Sequence, residues 1–223
     1  MTEALILVSA NAEWQALRRI LSPTTIETSP LGEYFPTPDG LFFHGGWGKI
    51  AAAASAQYAL DRFAPRLLVN LGTCGGFAGR VATGTILLVE QTLVYDIYEQ
   101  MGDPEQAIAD FTTRLDLSWL PEPLPFPARR SLLVSADRDL RAEDIPLLAC
   151  KYGAVAADWE SGAIAWVAAR NRVRCLILRA VSDLVGEGGG EAYGDLALFQ
   201  ERTLEVMRML IGQLPGWCAA AAG

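Results

Sequence analysis

Histidine is almost missing from this 223-residue chain, which carries one, His44. Its four cysteines, Cys74, Cys150, Cys175 and Cys218, stand far apart with no C-x-x-C pair. A zinc site draws on clustered thiolates and imidazoles, so no metal centre is expected. The cysteine density also falls short of a disulfide-framed secreted domain and points to reduced thiols in the cytoplasm. Basic charge is scarce: 18 Lys+Arg against 26 Asp+Glu leave a net charge of −8. That sign excludes general nucleic-acid binding, which needs a basic footprint to displace phosphate counterions. Long hydrophobic runs are absent as well. The apolar stretch at residues 4–10 follows Glu3, lacks a basic flank and is too short for a bilayer. It reads as a first buried strand, and no membrane partner is expected.

What is present is an ordinary globular composition, 51% hydrophobic and 20% charged, which excludes disorder. Short continuous apolar runs at residues 5–8, 41–44, 66–71, 85–89, 131–134 and 174–180 read as strands buried on both faces. Helical patterns at 13–21, 49–63, 161–170 and 196–214 alternate with them, the second alanine-rich and free of Gly and Pro. This order predicts an α/β sandwich folded as one domain over residues 1–223. Residues 101–127, with five prolines and no clean period, read as a variable excursion or lid. Residues 215–223 read as a flexible tail.

In an open α/β sheet, ligands bind beyond the carboxyl ends of strands, so polar residues there carry the functional information. Four places qualify. Ser9-Ala10-Asn11-Ala12-Glu13 follows the first strand, and alone it would pass for a helix cap with an acidic first turn. Gly72-Thr73-Cys74-Gly75-Gly76 follows the 66–71 strand and reads equally as a turn or a ligand cradle. It is neither G-x-G-x-x-G nor a P-loop, and Gly48-Lys49 lacks the hydroxyl residue that a P-loop requires, so no dinucleotide, ATP or other cofactor is expected. Asp158-Trp159-Glu160 opens a helix of small residues, where acids also suit the helix dipole. Arg179-Ala180-Val181-Ser182-Asp183 leaves the last strand, and Asp183 alone could be a turn residue.

Taken in order, these elements resemble the nucleoside phosphorylase and nucleosidase superfamily, most closely the 5′-methylthioadenosine/S-adenosylhomocysteine nucleosidases. The Asn-x-Gly-Thr-x-Gly-Gly run from Asn70, the acidic-x-Glu pair and Arg-Ala-x-Ser-Asp carry the likeness, and matching stretches cover about half the chain. The resemblance implies a three-layer sandwich with a central mixed β-sheet flanked by helices. It implies hydrolysis of the N-glycosidic bond of a purine nucleoside, without cofactor or metal. Asp183 would then protonate purine N7, supported by Ser182, and Glu13 would position and deprotonate the attacking water. Glu160 would accept hydrogen bonds from the ribose hydroxyls, and Arg179 would stand near Glu13 and the water. Thr73, Cys74 and Gly75 would line the base and ribose side, Cys74 as a small wall residue rather than a nucleophile.

The chain also departs from the family. Trp159 stands where methionine is usual beneath the sugar, and Trp47, in Gly46-Trp47-Gly48-Lys49, lies on the side expected to meet the 5′ group; core packing is the plain alternative for both. Asp137 sits where the family carries an acid after a strand, and the glycine-rich 186–194 loop reads as a lid or a solvated connection. The phosphorylases place an arginine-bearing element after the first strand; here Glu13 stands there and no arginine occurs before Arg18, which favours water over phosphate. Three alternatives stay open: a phosphorylase, a futalosine hydrolase-like enzyme, and a non-catalytic nucleoside-binding paralogue. The family's usual homodimer is the expected assembly, with a small purine nucleoside as the partner molecule.

Overall fold

The computed structural model describes residues 3–222. In chain order the first half comprises β1 (Ala4–Val8), α1 (Asn11–Leu21), β2 (Glu27–Ser29), β3 (Gly32–Thr37), β4 (Gly40–His44), α2 (Gly48–Phe63), β5 (Leu67–Phe77) and β6 (Ile86–Val94). The second comprises α3 (Pro104–Asp110), β7 (Thr112–Arg114), β8 (Arg129–Ser135), α4 (Ile145–Tyr152), β9 (Ala156–Asp158), α5 (Ser161–Asn171), β10 (Arg174–Gly186), β11 (Gly189–Gly190) and α6 (Leu196–Ala222). All the expected strands and helices are present, with β5, β6, β10 and α6 running five to eight residues past their expected ends.

Eleven strands form one mixed sheet. β1 lies parallel between β4 and β5, and β5 runs parallel to β10. β10 is antiparallel to β6, which leads through β8 to β9 by parallel pairing. β9 then returns antiparallel to β5 at Gly75 and Gly76, so the centre of the sheet closes on itself around β5 and β10.

Side chains alternate across each strand, so a strand buried on both faces feeds two cores. Ile6, Val8, Val69, Leu71, Leu176 and Leu178 pack with Trp14 and Leu17 of α1 and Met207 and Leu210 of α6. Leu5, Leu7, Leu68 and Ile177 face the other way, against Ala52 and Ala56 of α2 and Ile164 and Ala168 of α5. The result is a three-layer sandwich, α1/α6 on one side of the sheet and α2/α5 on the other.

Two segments differ from their sequence reading. Residues 215–222 are not a tail: α6 runs through Pro215, and Trp217 is fully buried. A proline inside a helix costs about 3 kcal/mol. Burying a tryptophan's 150–250 Å² returns about 4–6 kcal/mol, enough to offset the break. Residues 101–127 are not a lid either. β7 extends the sheet beside β6, Leu117 and Leu120 join the α1/α6 core, and the Phe126 ring lies 6.2 Å from that of Trp217. The excursion therefore covers the helix end that was expected to be a flexible tail.

Candidate active site

The site begins with a strand that runs on past its apolar segment. Residues 72–76, which as a sequence could be a turn, continue β5 to Phe77. Gly72 pairs with Arg179 in the β5–β10 register. A Cβ on Gly72 would lie 2.0 Å from Arg179 Nη1 and 2.5 Å from Glu13 Oε1. Glycine is thus required here by a close approach of charged side chains.

Glu13 does two jobs. α1 starts after Ala10, and Glu13 Oε2 accepts the Ala10 backbone N–H at 3.2 Å, the reciprocal half of a capping box. Oε1 instead crosses to β5 and accepts the Thr73 N–H at 2.6 Å and the Thr73 hydroxyl at 2.9 Å. The cap reading and the site reading hold for different oxygens of one buried carboxylate.

Arg179, completely buried, is the hub behind the cavity wall. Its Nη2 lies 2.8 Å from Asp158 Oδ2 and 3.8 Å from Glu160 Oε2, and its Nη1 lies 3.5 Å from Glu13 Oε1. It also donates to Asn70 Oδ1 at 2.9 Å, to Ser161 Oγ at 2.9 Å and to the Thr73 carbonyl at 3.3 Å. Arg179 stands beside Glu13 behind the residues that line the cavity, where it can position their carboxylates. Asp158, not Glu160, serves the start of α5: its carboxylate accepts the Ser161 N–H and hydroxyl and the Ser135 hydroxyl. Asp158 and Asn70 were visible in the motifs, but their role in orienting Arg179 comes only from the fold.

Glu160 is left facing the cavity, with Oε1 accepting the Gly48 N–H at 3.1 Å. Burial raises its pKa to about 8; Arg179 opposes the rise, while Asp158 and Glu13 add to it. A carboxyl raised in this way favours the fold while protonated. The unfolded chain loses the proton first as pH climbs from about 4.5, so stability falls between there and about 8. Glu160→Gln is therefore expected to raise Tm more above pH 8 than below pH 4.5, as thermal melts at the two ends would read.

Asp183 reaches the same cavity through a bulge. β10 pairs Val181 with Cys74 and Asp183 with Gly75, leaving Ser182 as the extra residue. A bulge re-aims the side chains after it, and Ser182 and Asp183, adjacent in sequence, both line the cavity. The Ser182 hydroxyl donates to Asp183 Oδ1 at 2.6 Å. Burial raises the Asp183 pKa above the ordinary carboxylate value, against the lowering pull of Ser182 and Arg202. Cys74 is buried and its thiol is pushed far up, which removes it as a nucleophile.

Glu13, Trp47, Thr73, Cys74, Gly75, Trp159, Glu160, Ser182 and Asp183 thus line one cavity. Asp137 does not; it accepts the Lys49 backbone N–H at 2.7 Å, while the Lys49 ammonium binds Asp96, so the P-loop echo at Gly48-Lys49 is a structural latch. Sequence reading missed Arg138, Leu140, Tyr193 and Phe199 in the wall. The Tyr193 hydroxyl donates to the Leu140 carbonyl at 2.8 Å, tying the 186–194 loop across to the segment after β8. The glycines flanking Asp183's strand signalled a loop there, but not its direction.

A family model described as the phosphorylase superfamily matches residues 40–214. A 5′-methylthioadenosine/S-adenosylhomocysteine nucleosidase of Oceanobacillus iheyensis is 27% identical over 153 residues, 64% of this chain and 67% of that protein. Among solved structures, the Campylobacter jejuni 5′-methylthioadenosine/S-adenosyl homocysteine nucleosidase superposes with a TM-score of 0.79 at 19% identity, covering 98% of this chain and 99% of the other. A Helicobacter pylori futalosine hydrolase mutant superposes at 0.75 with 15% identity, covering 95% and 98%.

Proposed function

The chain belongs to the phosphorylase superfamily, and we propose that it hydrolyses the N-glycosidic bond of a purine nucleoside of the 5′-methylthioadenosine/S-adenosylhomocysteine type, releasing the free base. The observation that carries this reading is the meeting of Asp183, Glu13 and Glu160, from three distant parts of the chain, at one cavity. Asp183, whose pKa burial raises, donates a proton to purine N7 as the bond from C1′ to N9 breaks. The bonding electrons leave with the base. Water adds to C1′ and gives its proton to Glu13, whose Oε1 is fixed by Thr73. Glu160, facing the cavity, accepts hydrogen bonds from the ribose hydroxyls. Arg179 acts as a positioning residue for the carboxylates. Thr73, Cys74, Gly75, Ser182, Trp47 and Trp159 form the binding wall.

Water is favoured over phosphate on electrostatic grounds. A phosphate dianion entering beside Glu13 would meet Asp158 and Glu160 as well, with Arg179 already engaged by all three. Arg18, the first arginine after β1, pairs with Glu33 at 3.2 Å. Base release from 5′-methylthioadenosine is expected to proceed at the same rate with and without phosphate and to yield the free sugar. Phosphate-dependent formation of a sugar 1-phosphate, read by chromatography, would make the chain a phosphorylase.

The same reading takes the protein as a cytoplasmic homodimer. Ile50, Tyr98 and Met101 are exposed, at 85%, 83% and 99%. The Lys49–Asp96 bond holds the start of α2 beside the segment after β6, so these apolar side chains arise from neighbouring segments. Light scattering is expected to give twice the chain mass, and Ile50→Asp with Met101→Asp to halve it. No described helix is long and apolar enough to cross a membrane, and the four cysteines are free, which suits a reducing compartment.

A further inference from the structure

Asp183 is bracketed by one ion pair. Ser182, before it, is the extra residue of the β10 bulge, left out of the pairing with β5, and its carbonyl accepts Arg202 Nη1 at 3.2 Å. Leu184, after it, donates its N–H to Glu191 Oε2 at 3.2 Å, and its carbonyl accepts the Glu191 N–H at 3.0 Å. Arg202 Nη1 and Glu191 Oε2 then meet at 2.7 Å. The residues on either side of Asp183 thus end on a guanidinium and a carboxylate that bind each other.

The anchors come from three places in the chain. Ser182 and Leu184 belong to β10, and Arg202 to α6, one turn after the cavity residue Phe199. Glu191 lies in the 186–194 loop, which also carries Tyr193 into the cavity wall. Arg202 and Glu191 stand outside that wall, so they act on Asp183 and not on a ligand. Their side chains are 26% and 45% exposed, and an ion pair so open to water adds little stability. What it supplies is direction. A bulge gives up part of its ladder, and an acid that must meet one atom of a base needs a backbone that does not drift.

We propose that Arg202 and Glu191 are positioning residues for the acid: their ion pair brackets Asp183 and ties the aim of its carboxyl to the 186–194 loop. This rests on the N-glycosidic reading above. The pair also acts on the proton, Arg202 favouring the ionised carboxyl and Glu191 the neutral one. Asp183 is further faced by the Ser182 hydroxyl, the Cys74 thiol of β5, Asp139 after β8 and the Tyr193 hydroxyl. Burial pushes the thiol and the phenol far up, so neither ionises near neutral pH. Glu13, Arg138, Asp158 and Glu160 are the remaining charged groups of the cavity.

The test compares the full chain with Arg202→Met, Arg202→Lys and Glu191→Ala. Base release from 5′-methylthioadenosine gives kcat, KM and the pH profile, and hydrogen exchange over residues 182–191, read by mass spectrometry, reports the bracket without chemistry. Arg202→Met and Glu191→Ala are each expected to lower kcat about tenfold with KM within about twofold, and to speed exchange of that segment about tenfold. Arg202→Lys, which keeps the charge and a donor, is expected to retain most of kcat. The alkaline fall in rate moves to higher pH in Arg202→Met, where the acid keeps its proton longer, and to lower pH in Glu191→Ala. If Arg202→Met fails to fold, Glu191→Ala carries the same readouts. With the wild type active, unchanged kcat or exchange in a folded variant, no recovery by lysine, or an alkaline fall that does not move in those directions overturns the inference and leaves hydrolysis intact. No base release by the wild type, with exchange faster in the variants, overturns the hydrolytic reading and keeps the bracket. No release and no change in exchange overturns both.

Discussion

Asp183→Asn is expected to lower base release by about 10³- to 10⁴-fold while the fold survives. General acid catalysis contributes on the order of 10² to 10⁴, and a purine that leaves unprotonated is a poor leaving group, which puts this substitution at the upper end. The amide keeps the shape of the carboxyl and can still accept the Ser182 hydroxyl, now 2.6 Å from Oδ1, so the bulge in β10 has no reason to unwind. What it cannot do is deliver a proton. The pH dependence gives a second readout. Burial holds the Asp183 pKa above the ordinary carboxylate value, so the wild-type rate falls on the alkaline side as that proton is lost. The residual rate of the variant is expected to lack that fall. Near-wild-type turnover in steady-state assays, with melting temperature unchanged, would remove Asp183 from the chemistry and leave the cavity a binding site.

The sequence made the layers legible because their signal is strong. The apolar run of β1 has no polar interruption, and the alanines of α2 recur at helical spacing, so both burial and element type could be read directly. It failed where a residue's purpose lies across the fold. Gly72 belongs to a strand, and its lack of a side chain answers to Glu13 and Arg179, which are remote in the chain. The β10 bulge that brings Ser182 and Asp183 to one side leaves no local trace, since it is set by pairing with β5. β2 and β3 went unread because two prolines fall within residues 27–37 and only Phe35 of their side chains is buried, as suits a sheet edge. The end of α6 was misread in the opposite sense: Pro215, a local helix breaker, is overruled by Trp217 and Phe126, whose meeting no window of sequence contains. The acidic residues of the candidate site were nameable from motifs. Their division of labour was not, because Asp158 and Glu160 look alike on paper and differ only in which one faces Ser161.

Arg179→Met should have the largest effect on stability. The guanidinium is fully buried and stands among Glu13, Asp158 and Glu160, all of them buried too. Removing one partner of a buried ionic group costs about 3–5 kcal/mol, because the charges left behind have lost their water and now lack a counter-ion. Methionine fills much of the arginine stem's volume, so the loss is electrostatic more than a matter of packing. For a chain of this size the matching fall in Tm is on the order of 10 °C. The sign with pH separates this account from simple cavity formation. Protonating the stranded carboxyls relieves their repulsion, so the destabilisation should shrink toward acid and grow as Glu160, raised to about 8, is forced to ionise. A second substitution, Glu160→Gln, should then recover part of the lost Tm in the Arg179→Met background, and recover more at high pH than at low. A deficit that is flat across pH, with no rescue by Glu160→Gln, would mean that Arg179 acts through shape and the Asn70 and Ser161 hydrogen bonds alone, and the carboxylates it was taken to hold would need another explanation for their convergence.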